Sequence, residues 1–413
     1  MNVATNDERS AEENRGGVRR GVVPCVERFD FAWVAAAVSF TAWLIVQWHP
    51  SGKGRLDFRV YWGALQSSRG RLYDYLLPHH GLGFTYPPFA AVLLRPITRL
   101  PESAGQQLWL VAIGVSAVAF FALCCAVATD LPARRLTIPL VIGVGIWMMP
   151  VRLTANLGQI NGLVAVAVII DALLLKRRSR AAGLGVGFAT AIKLTPAIMI
   201  GWYFISGRRR TAGTATGGFL AATLLGVAFY PSASYKYWTA IVFDTRRVGA
   251  TNSFFSSAIR RYIAWLPLPP SAQDVIWAAC AVLVIAIAYR RATAADRAGH
   301  ALYAFAVVMC ASYLVSPITW GHHLWFAVAA IIAIIGDGRS WRRNTAAILA
   351  LLLLADPWEQ GLGRHTSVLE TLLLLAIVLA PLGRGRARGR RQSAVRRYAA
   401  PARLQADRYD PCG

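Results

Sequence analysis

The chain has 413 residues, of which 56% are hydrophobic and only 15% are charged. A water-soluble globular protein ordinarily has about 25% charged residues, so the composition excludes that class and predicts a membrane protein. Lysine and arginine number 44 against 20 acidic residues, for a formal net charge of +24. Most of this excess lies between apolar runs and in the tails, which indicates membrane topology rather than nucleic-acid binding.

The apolar runs predict an all-α membrane body between two polar tails. Residues 1–29 carry acids as well as arginine, which predicts a disordered tail rather than a signal peptide, and residues 384–413 predict a second, Arg-rich tail that could hold anionic lipid. The body, 30–383, opens with the run 31–48, long enough for one crossing at about 20 residues per span. Further candidate spans are 104–128, 137–150, 159–175, 211–230, 273–289, 300–315, 322–336, 345–355 and 366–382.

Basic clusters in the short connections predict which side of the membrane each connection faces. The clusters are at 134–135, 176–178, 208–210, 290–291 and 342–343. The positive-inside rule assigns these connections and both tails to the cytoplasm.

Residues 181–206 have a basic cluster near each end, so a single crossing would put one cluster outside. The middle of this segment contains Lys193 followed by Pro196, which predicts a hairpin of two half-helices with Lys193 near its apex. With the hairpin counted as two, the expectation is about twelve transmembrane elements and two long periplasmic loops, 49–103 and 231–272.

The first outer loop contains a carboxylate close to the predicted membrane surface. Asp57, in L-D-F-R-V-Y-W, follows shortly after the first span; it is either a solvated loop acid or a functional group. The aromatic residues of G-R-L-Y-D and F-T-Y-P-P-F in the same loop are typical of interfacial anchors. The apolar stretch after Pro87 and Pro88 predicts an interfacial helix.

Lys193 requires a compensating interaction if it lies within the membrane. A cation in the centre of a helix costs about 2.5 to 3.5 kcal/mol on insertion scales. A bound anion would offset this cost, and the alternative is that the side chain extends to the outer interface.

Histidine and amide side chains cluster at other outer boundaries. In S-P-I-T-W-G-H-H, adjacent His322 and His323 would not share one helix face, so a two-histidine metal site is not expected; one imidazole facing a site, or an interfacial pair, fits the pattern. The amides of Asn156, Gln159 and Asn161, with Asn252 in the second long loop, would either cap helices or bind a polyol.

Several motifs are absent from the sequence. It has no G-x-x-x-x-G-K-[ST], no Asp-x-Asp and no paired Glu-x-x-His, so neither ATP-driven transport nor a metal-bound nucleotide sugar is expected. No cofactor or metal is predicted. A donor used outside the cytoplasm would have to be lipid-linked.

In their order along the chain, these motifs resemble glycosyltransferase family 87. They are D-F-R-V-Y-W, G-R-L-Y-D, Y-P-P-F, N-L-G-Q-I-N, I-K-L-T-P, N-S and S-P-I-T-W-G-H-H, and the resemblance spans roughly residues 30–380. It implies a GT-C fold and an inverting α-1,2-mannosyltransferase with polyprenyl-phosphate-mannose as donor and a phosphatidylinositol mannoside as acceptor. A lipomannan acceptor or another polyprenyl-phosphate sugar, such as an arabinofuranosyl donor, stays open.

The resemblance also implies roles for individual residues. Asp57 would be the general base, and Lys193 with His322 would bind the donor phosphate. The expected substrate-binding residues are Arg59, the aromatic residue at position 62 (Trp62), Tyr86, Asn156, Gln159, Asn161, Asn252, Trp320 and His323. The rival from another class is a lipid or sugar transporter with Lys193 in its permeation path. A transporter built from inverted repeats should have a second broken segment that matches the first, and the sequence predicts none.

Overall fold

The computed structural model describes residues 26–48, 54–67, 69–132, 134–356 and 363–380. Within these ranges the chain is helical apart from turns and one isolated β-bridge between Leu76 and Gly83. The all-α prediction is confirmed for this part of the chain. Nearly all of the two predicted tails lies outside the described residues.

Seventeen α-helices occur in the described ranges. They are α1 Val26–Trp48, α2 Leu56–Gln66, α3 Pro88–Leu94, α4 Glu102–Val127, α5 Arg134–Gly145, α6 Met149–Leu157, α7 Asn161–Lys176, α8 Leu184–Ile192, α9 Ala197–Ile205, α10 Arg209–Phe229, α11 Pro231–Thr239, α12 Ile259–Ile263, α13 Pro270–Arg297, α14 Ala301–Val315, α15 Trp325–Ile335, α16 Trp341–Ala355 and α17 Gly363–Leu379.

Fewer helices are long enough to cross a membrane than the sequence predicts. By length and composition, α1, α4, α10 and α13 qualify, and the bent pair α5–α6 makes a fifth. The other apolar runs fold as shorter helices. For example, α15 has 11 residues and is therefore about 16 Å long at 1.5 Å per residue, against a hydrocarbon core of about 30 Å.

The bend between α5 and α6 was not predicted. The two helices meet at 50° across a break of three residues, where the sequence predicts one span, 137–150, followed by an outer turn. The structure therefore has a second broken segment besides the hairpin, but its break at 146–148 carries no charged residue and does not match the break at Lys193. Pro150 lies in the first turn of α6, where its missing N–H costs no hydrogen bond.

The predicted hairpin is present in α8 and α9. A Cβ atom on Gly183, just before α8, would lie 2.4 Å from the carbonyl oxygen of Thr211 at the start of α10. The end of α9 turns directly into α10 through Gly207, with φ +85°. Both ends of the hairpin are therefore beside the start of α10, and Lys193, in extended backbone between the two half-helices, is at the apex.

Basic connections meet at one end of the helix bundle. Lys176 donates a hydrogen bond to the carbonyl of Ala126, which joins the end of α7 to the end of α4. His300, between α13 and α14, lies 3.7 Å from the carboxylate of Asp130, and Arg208 pairs with the last turn of α13. The other end of α7 begins at Asn161 and borders the cavity described below.

The segment after Pro87 and Pro88 folds as α3, and most of that helix is buried. Pro88, Phe89, Ala90 and Ala91 are all buried. A Cβ atom on Gly226 of α10 would lie 2.9 Å from the backbone nitrogen of Phe89. One face of α3 therefore packs against the protein, where glycine in α10 permits close approach, while Leu93 on the other face is exposed. Its position at the membrane interface stays a prediction.

Candidate active site

A cavity of about 650 Å³ lies at the end of the bundle opposite the basic connections. It is bounded by α2, the turn before α7, the apex of the hairpin, the start of α17 and the loops 241–248 and 316–323. Its volume is in the range of about 300 to 1,000 Å³ that ligand-binding pockets have. Among the predicted site residues, those lining it are Asp57, Tyr86, Gln159, Lys193, Trp320, His322 and His323.

One wall of the cavity holds Asp57 in a hydrogen-bonded arrangement. The Gln159 amide donates a hydrogen bond of 2.7 Å to Asp57 Oδ2. Its own oxygen accepts hydrogen bonds from the hydroxyl groups of Tyr86, at 2.6 Å, and Tyr61, at 3.2 Å. The two tyrosines thus fix the orientation of the amide, which in turn holds one carboxylate oxygen.

Burial changes the proton affinity of Asp57. Removal from solvent disfavours the charged form and raises the pKa of the carboxyl to about 6, although the Gln159 hydrogen bond and the nearby Lys193 charge oppose the shift. At neutral pH the group remains mostly ionised. It is therefore a stronger base than an ordinary aspartate.

The apex of the hairpin brings Lys193 to the same wall. The ammonium donates a hydrogen bond of 2.8 Å to the Asn161 side-chain oxygen, and the Asn161 amide donates one of 2.9 Å to the carbonyl of His322. The ammonium also lies 5.6 Å from the centre of the Tyr86 ring. Asn161 is itself buried behind the cavity wall. From there it positions Lys193 and the loop 316–323, which contains both histidines.

The two histidines pack against each other beside Lys193. Their ring centres are 4.5 Å apart at an interplanar angle of 85°, and His323 Nδ1 accepts a hydrogen bond from the backbone N–H of Trp320. Among the described residues, His322 Nε2 has no hydrogen-bond partner. Burial and the Lys193 charge lower the pKa of His322, so the imidazole is neutral at physiological pH.

Besides Asn161, four predicted residues lie outside the cavity. Arg59 forms an ion pair with Glu102 at 3.2 Å, and the Trp62 indole donates to the carbonyl of Leu100. Asn156 is on a half-buried face of α6. Asn252 lines a separate surface groove.

The cavity also contains polar residues that the sequence analysis did not single out. Glu370, Thr366 and Ser367 line it from α17, Tyr61 lines it from α2, and Arg247 lines it from the second long loop. Arg247 donates a hydrogen bond of 2.7 Å to the carbonyl of Tyr73. Glu370 was detectable, since an ionisable residue within a predicted span is itself a signal of function.

The comparisons with known proteins agree with the resemblance seen in the motifs. The profile of glycosyltransferase family 87 matches residues 84–317. A Mycobacterium tuberculosis protein named polyprenol-phosphate-mannose-dependent alpha-(1-2)-phosphatidylinositol mannoside mannosyltransferase is 31% identical over 346 residues, which is 78% of this chain and 79% of that protein.

A Mycolicibacterium smegmatis relative is named polyprenol-phosphate-mannose-dependent alpha-(1-2)-phosphatidylinositol pentamannoside mannosyltransferase. It is 29% identical over 338 residues, covering 77% of this chain and 79% of the relative. No solved structure matches the chain significantly. The profile match and the extent of the first relative establish that the chain is a membrane-embedded enzyme that belongs to glycosyltransferase family 87.

Proposed function

We propose that the protein transfers mannose from polyprenyl-phosphate-mannose to a phosphatidylinositol mannoside, in α-1,2 linkage and with inversion, on the periplasmic face of the plasma membrane. The names of the relatives support the donor and the acceptor. The proposed fold is a GT-C arrangement in which short helices and the broken hairpin contribute to about twelve membrane-embedded elements.

The observation that carries this proposal is the pairing of a base and a cation along one cavity wall. Gln159 binds Asp57, and Asn161, two residues further on, binds Lys193. One turn of chain thus sets the spacing between a proton acceptor and a group that favours phosphate. The same wall can therefore accept the proton of the attacking hydroxyl and bind the phosphate of the donor.

The residues support a direct displacement. Asp57 accepts the proton of an acceptor hydroxyl as that oxygen forms a bond to C1 of the mannose. The bond between C1 and the phosphate oxygen breaks on the opposite face, and its electron pair stays with the polyprenyl phosphate. Attack opposite the leaving group converts the β-linked donor into an α-linked product.

Lys193 would stabilise the phosphate as its negative charge increases. The role proposed for His322 differs from that of a cation, because the buried imidazole is neutral: it would donate one N–H to a phosphate oxygen. Asn161 would act on the donor only by positioning Lys193. Arg59, Trp62, Asn156 and Asn252 are left without a role in this mechanism.

Charge distribution supports the periplasmic orientation. The clusters that the positive-inside rule assigns to the cytoplasm meet at the end of the bundle opposite the cavity. A cavity at the other end would open to the periplasm, where a lipid-linked donor is required. Both termini would be cytoplasmic.

The test is a transfer assay with purified protein, radiolabelled polyprenyl-phosphate-mannose and a panel of phosphatidylinositol mannosides and lipomannan. We expect α-1,2-linked product on a phosphatidylinositol mannoside, undiminished in EDTA. Asp57→Asn should reduce turnover by at least about 1,000-fold, as expected for loss of a base and its charge, while donor binding persists. Asp74→Asn, an exposed carboxylate in the same loop, is the matched control. Near-normal turnover by Asp57→Asn would remove Asp57 from the mechanism.

A further inference from the structure

The start of α17 presents a second polar wall to the cavity. Glu370, Thr366 and Ser367 all line the cavity, although their exposed fractions are only 4%, 9% and 3%. From Leu372 onward the helix is apolar, and a carboxylate beside such a segment is costly unless it is bound by other groups. The mechanism above uses none of these side chains.

Neighbouring residues hold the Glu370 side chain in place. The Ser257 hydroxyl donates a hydrogen bond to Glu370 Oε2. The buried guanidinium of Arg261 donates to the Ser367 hydroxyl at 2.5 Å and to the backbone carbonyl of Ser256 at 2.9 Å. Arg261 is itself held against the rings of Tyr262 and Trp265. Glu370 is thus fixed in one position, with a positive charge behind the wall.

One acceptor site remains on this fixed carboxylate. Glu370 Oε1 has no hydrogen-bond partner among the residues that the structure describes, and the side chain lines the cavity. A ligand hydroxyl can donate to this oxygen with no rearrangement of the protein. The interaction would be charge-assisted and therefore stronger than one between neutral groups.

The surroundings of Glu370 fit a carbohydrate better than a phosphate. Asp356 adds a second carboxylate to the cavity lining, and both would repel an anion. Phe255 also lines the cavity and has 59% of its surface exposed. It provides an aromatic surface against which the C–H face of a sugar ring can pack. Fixed carboxylate, hydroxyl and exposed aromatic together form a site for a neutral, hydroxyl-rich ligand.

We infer that the α17 wall, formed by Glu370, Thr366 and Phe255, binds the sugar hydroxyls of the mannoside acceptor. This inference rests on the proposed function. The donor phosphate requires the Lys193 wall, so the carboxylates of the second wall are suited to the uncharged mannose residues that carry the reacting hydroxyl. Glu370 acts here as a binding and positioning residue and takes no proton in the reaction.

The test measures acceptor KM and donor affinity separately for Glu370→Gln. The glutamine oxygen can still accept the Ser257 hydrogen bond, but the negative charge is lost. We expect the KM for the phosphatidylinositol mannoside to rise about tenfold or more, the loss expected for a hydrogen bond to a charged group. Donor affinity should stay within about twofold. Glu102→Gln, outside the cavity, is the matched control and should change neither value.

Two outcomes would overturn the inference. One is an unchanged acceptor KM, and the other is an equal loss of donor and acceptor affinity, which indicates a purely structural role. If Glu370→Gln does not fold, acceptor KM and donor affinity are measured for Thr366→Val instead. An unchanged acceptor KM, or equal losses of both affinities, would again overturn the inference. Failure of the wild-type protein to transfer mannose at all would instead refute the proposed function, so the two failures are distinguishable.

Discussion

Asp57 illustrates how a single residue acquires its properties from several distant parts of the chain. Its position on α2 places the carboxylate in the cavity, Gln159 holds one oxygen, and burial raises its pKa to about 6. A base with a pKa just below the working pH is mostly ionised and still has a high proton affinity. That combination is favourable for general base catalysis.

The raised pKa of Asp57 predicts an acid limb in the pH profile. As the pH falls through about 6, the carboxyl binds a proton and can no longer accept one from the acceptor. The apparent second-order rate constant for the acceptor should therefore fall tenfold per pH unit below about 6 and level off above about 7. Initial rates from pH 4.5 to 8.5 measure this. A rate constant that is flat down to pH 4.5 would contradict the role of Asp57 as base.

Lys193 is the residue whose removal should separate donor from acceptor binding. Lys193→Met keeps the length of the side chain and removes its charge, so donor affinity should fall about tenfold to a hundredfold, as expected for a hydrogen bond to a charged group. Acceptor KM should change less than twofold. Titration with polyprenyl-phosphate-mannose measures the first value. Lys236→Met is the control, because Lys236 is exposed and paired with Asp74; equal losses of donor and acceptor binding would argue against a phosphate role for Lys193.

Sequence patterns revealed some site residues and misassigned others for a definite geometric reason. The sequence predicts a long loop at 49–103, but within it Leu56–Gln66 form the helix α2. At 3.6 residues per turn, the directions of Arg59 and Asp57 are about 160° apart, whereas those of Tyr61 and Asp57 are only about 40° apart. Tyr61 therefore lines the cavity while Arg59 pairs with Glu102 outside it.

Among the helices, the broken hairpin does most to build the site. Lys193 and Pro196 interrupt the apolar run, and this local signal was sufficient to predict two half-helices. The bend between α5 and α6 was not predicted, because no charged residue marks the break at 146–148. That bend places α6 beside the loop 316–323, where the Thr154 hydroxyl on α6 donates a hydrogen bond of 3.4 Å to the carbonyl of His322.

Close packing of the hairpin on α10 depends on glycine. A Cβ atom at Gly187 would lie 2.3 Å from the carbonyl oxygen of Ala215, so Gly187→Ala forces α8 away from α10 and displaces Lys193. We expect a loss of about 1 to 3 kcal/mol of stability, as in other overpacked cores, together with weaker donor binding.

Thermal unfolding in detergent measures the effect on stability. Gly213→Ala is the matched control, because a Cβ atom there meets no other atom within 4 Å and alanine favours the helix. This control should unfold at the same temperature as the wild-type protein or higher. Unchanged unfolding of Gly187→Ala would show that the two helices can separate freely.

Across the whole molecule, basic connections and the cavity occupy opposite ends of the helix bundle. This arrangement could be predicted, because the apolar runs and the basic clusters between them can both be located in the sequence without knowledge of tertiary contacts. The meeting of positions 57, 159, 193 and 322 depends on tertiary packing, so residue spacing could not predict their contacts. The count of about twelve membrane elements stays a prediction, because several apolar runs fold as helices of 11 to 17 residues that pack against other helices.

Cysteine labelling tests the orientation that this charge separation predicts. In a cysteine-free background, Tyr235→Cys on α11, at the cavity end, should react with a membrane-impermeant maleimide added to intact cells. Arg177→Cys, at the basic end, should react only in inverted vesicles. Both native side chains are exposed, so accessibility does not limit either reaction. The reverse pattern would place the cavity in the cytoplasm and contradict the proposed sidedness.

The central claim is that one cavity wall aligns a base with a phosphate-binding cation. A cryo-EM structure with a non-transferable polyprenyl-phosphate-mannose analogue measures this directly. The account predicts the phosphate within hydrogen-bonding distance of Lys193 Nζ, with the anomeric carbon between the phosphate and an acceptor position that contacts Asp57. A phosphate bound away from Lys193, or an anomeric carbon with no open path to Asp57, would contradict it.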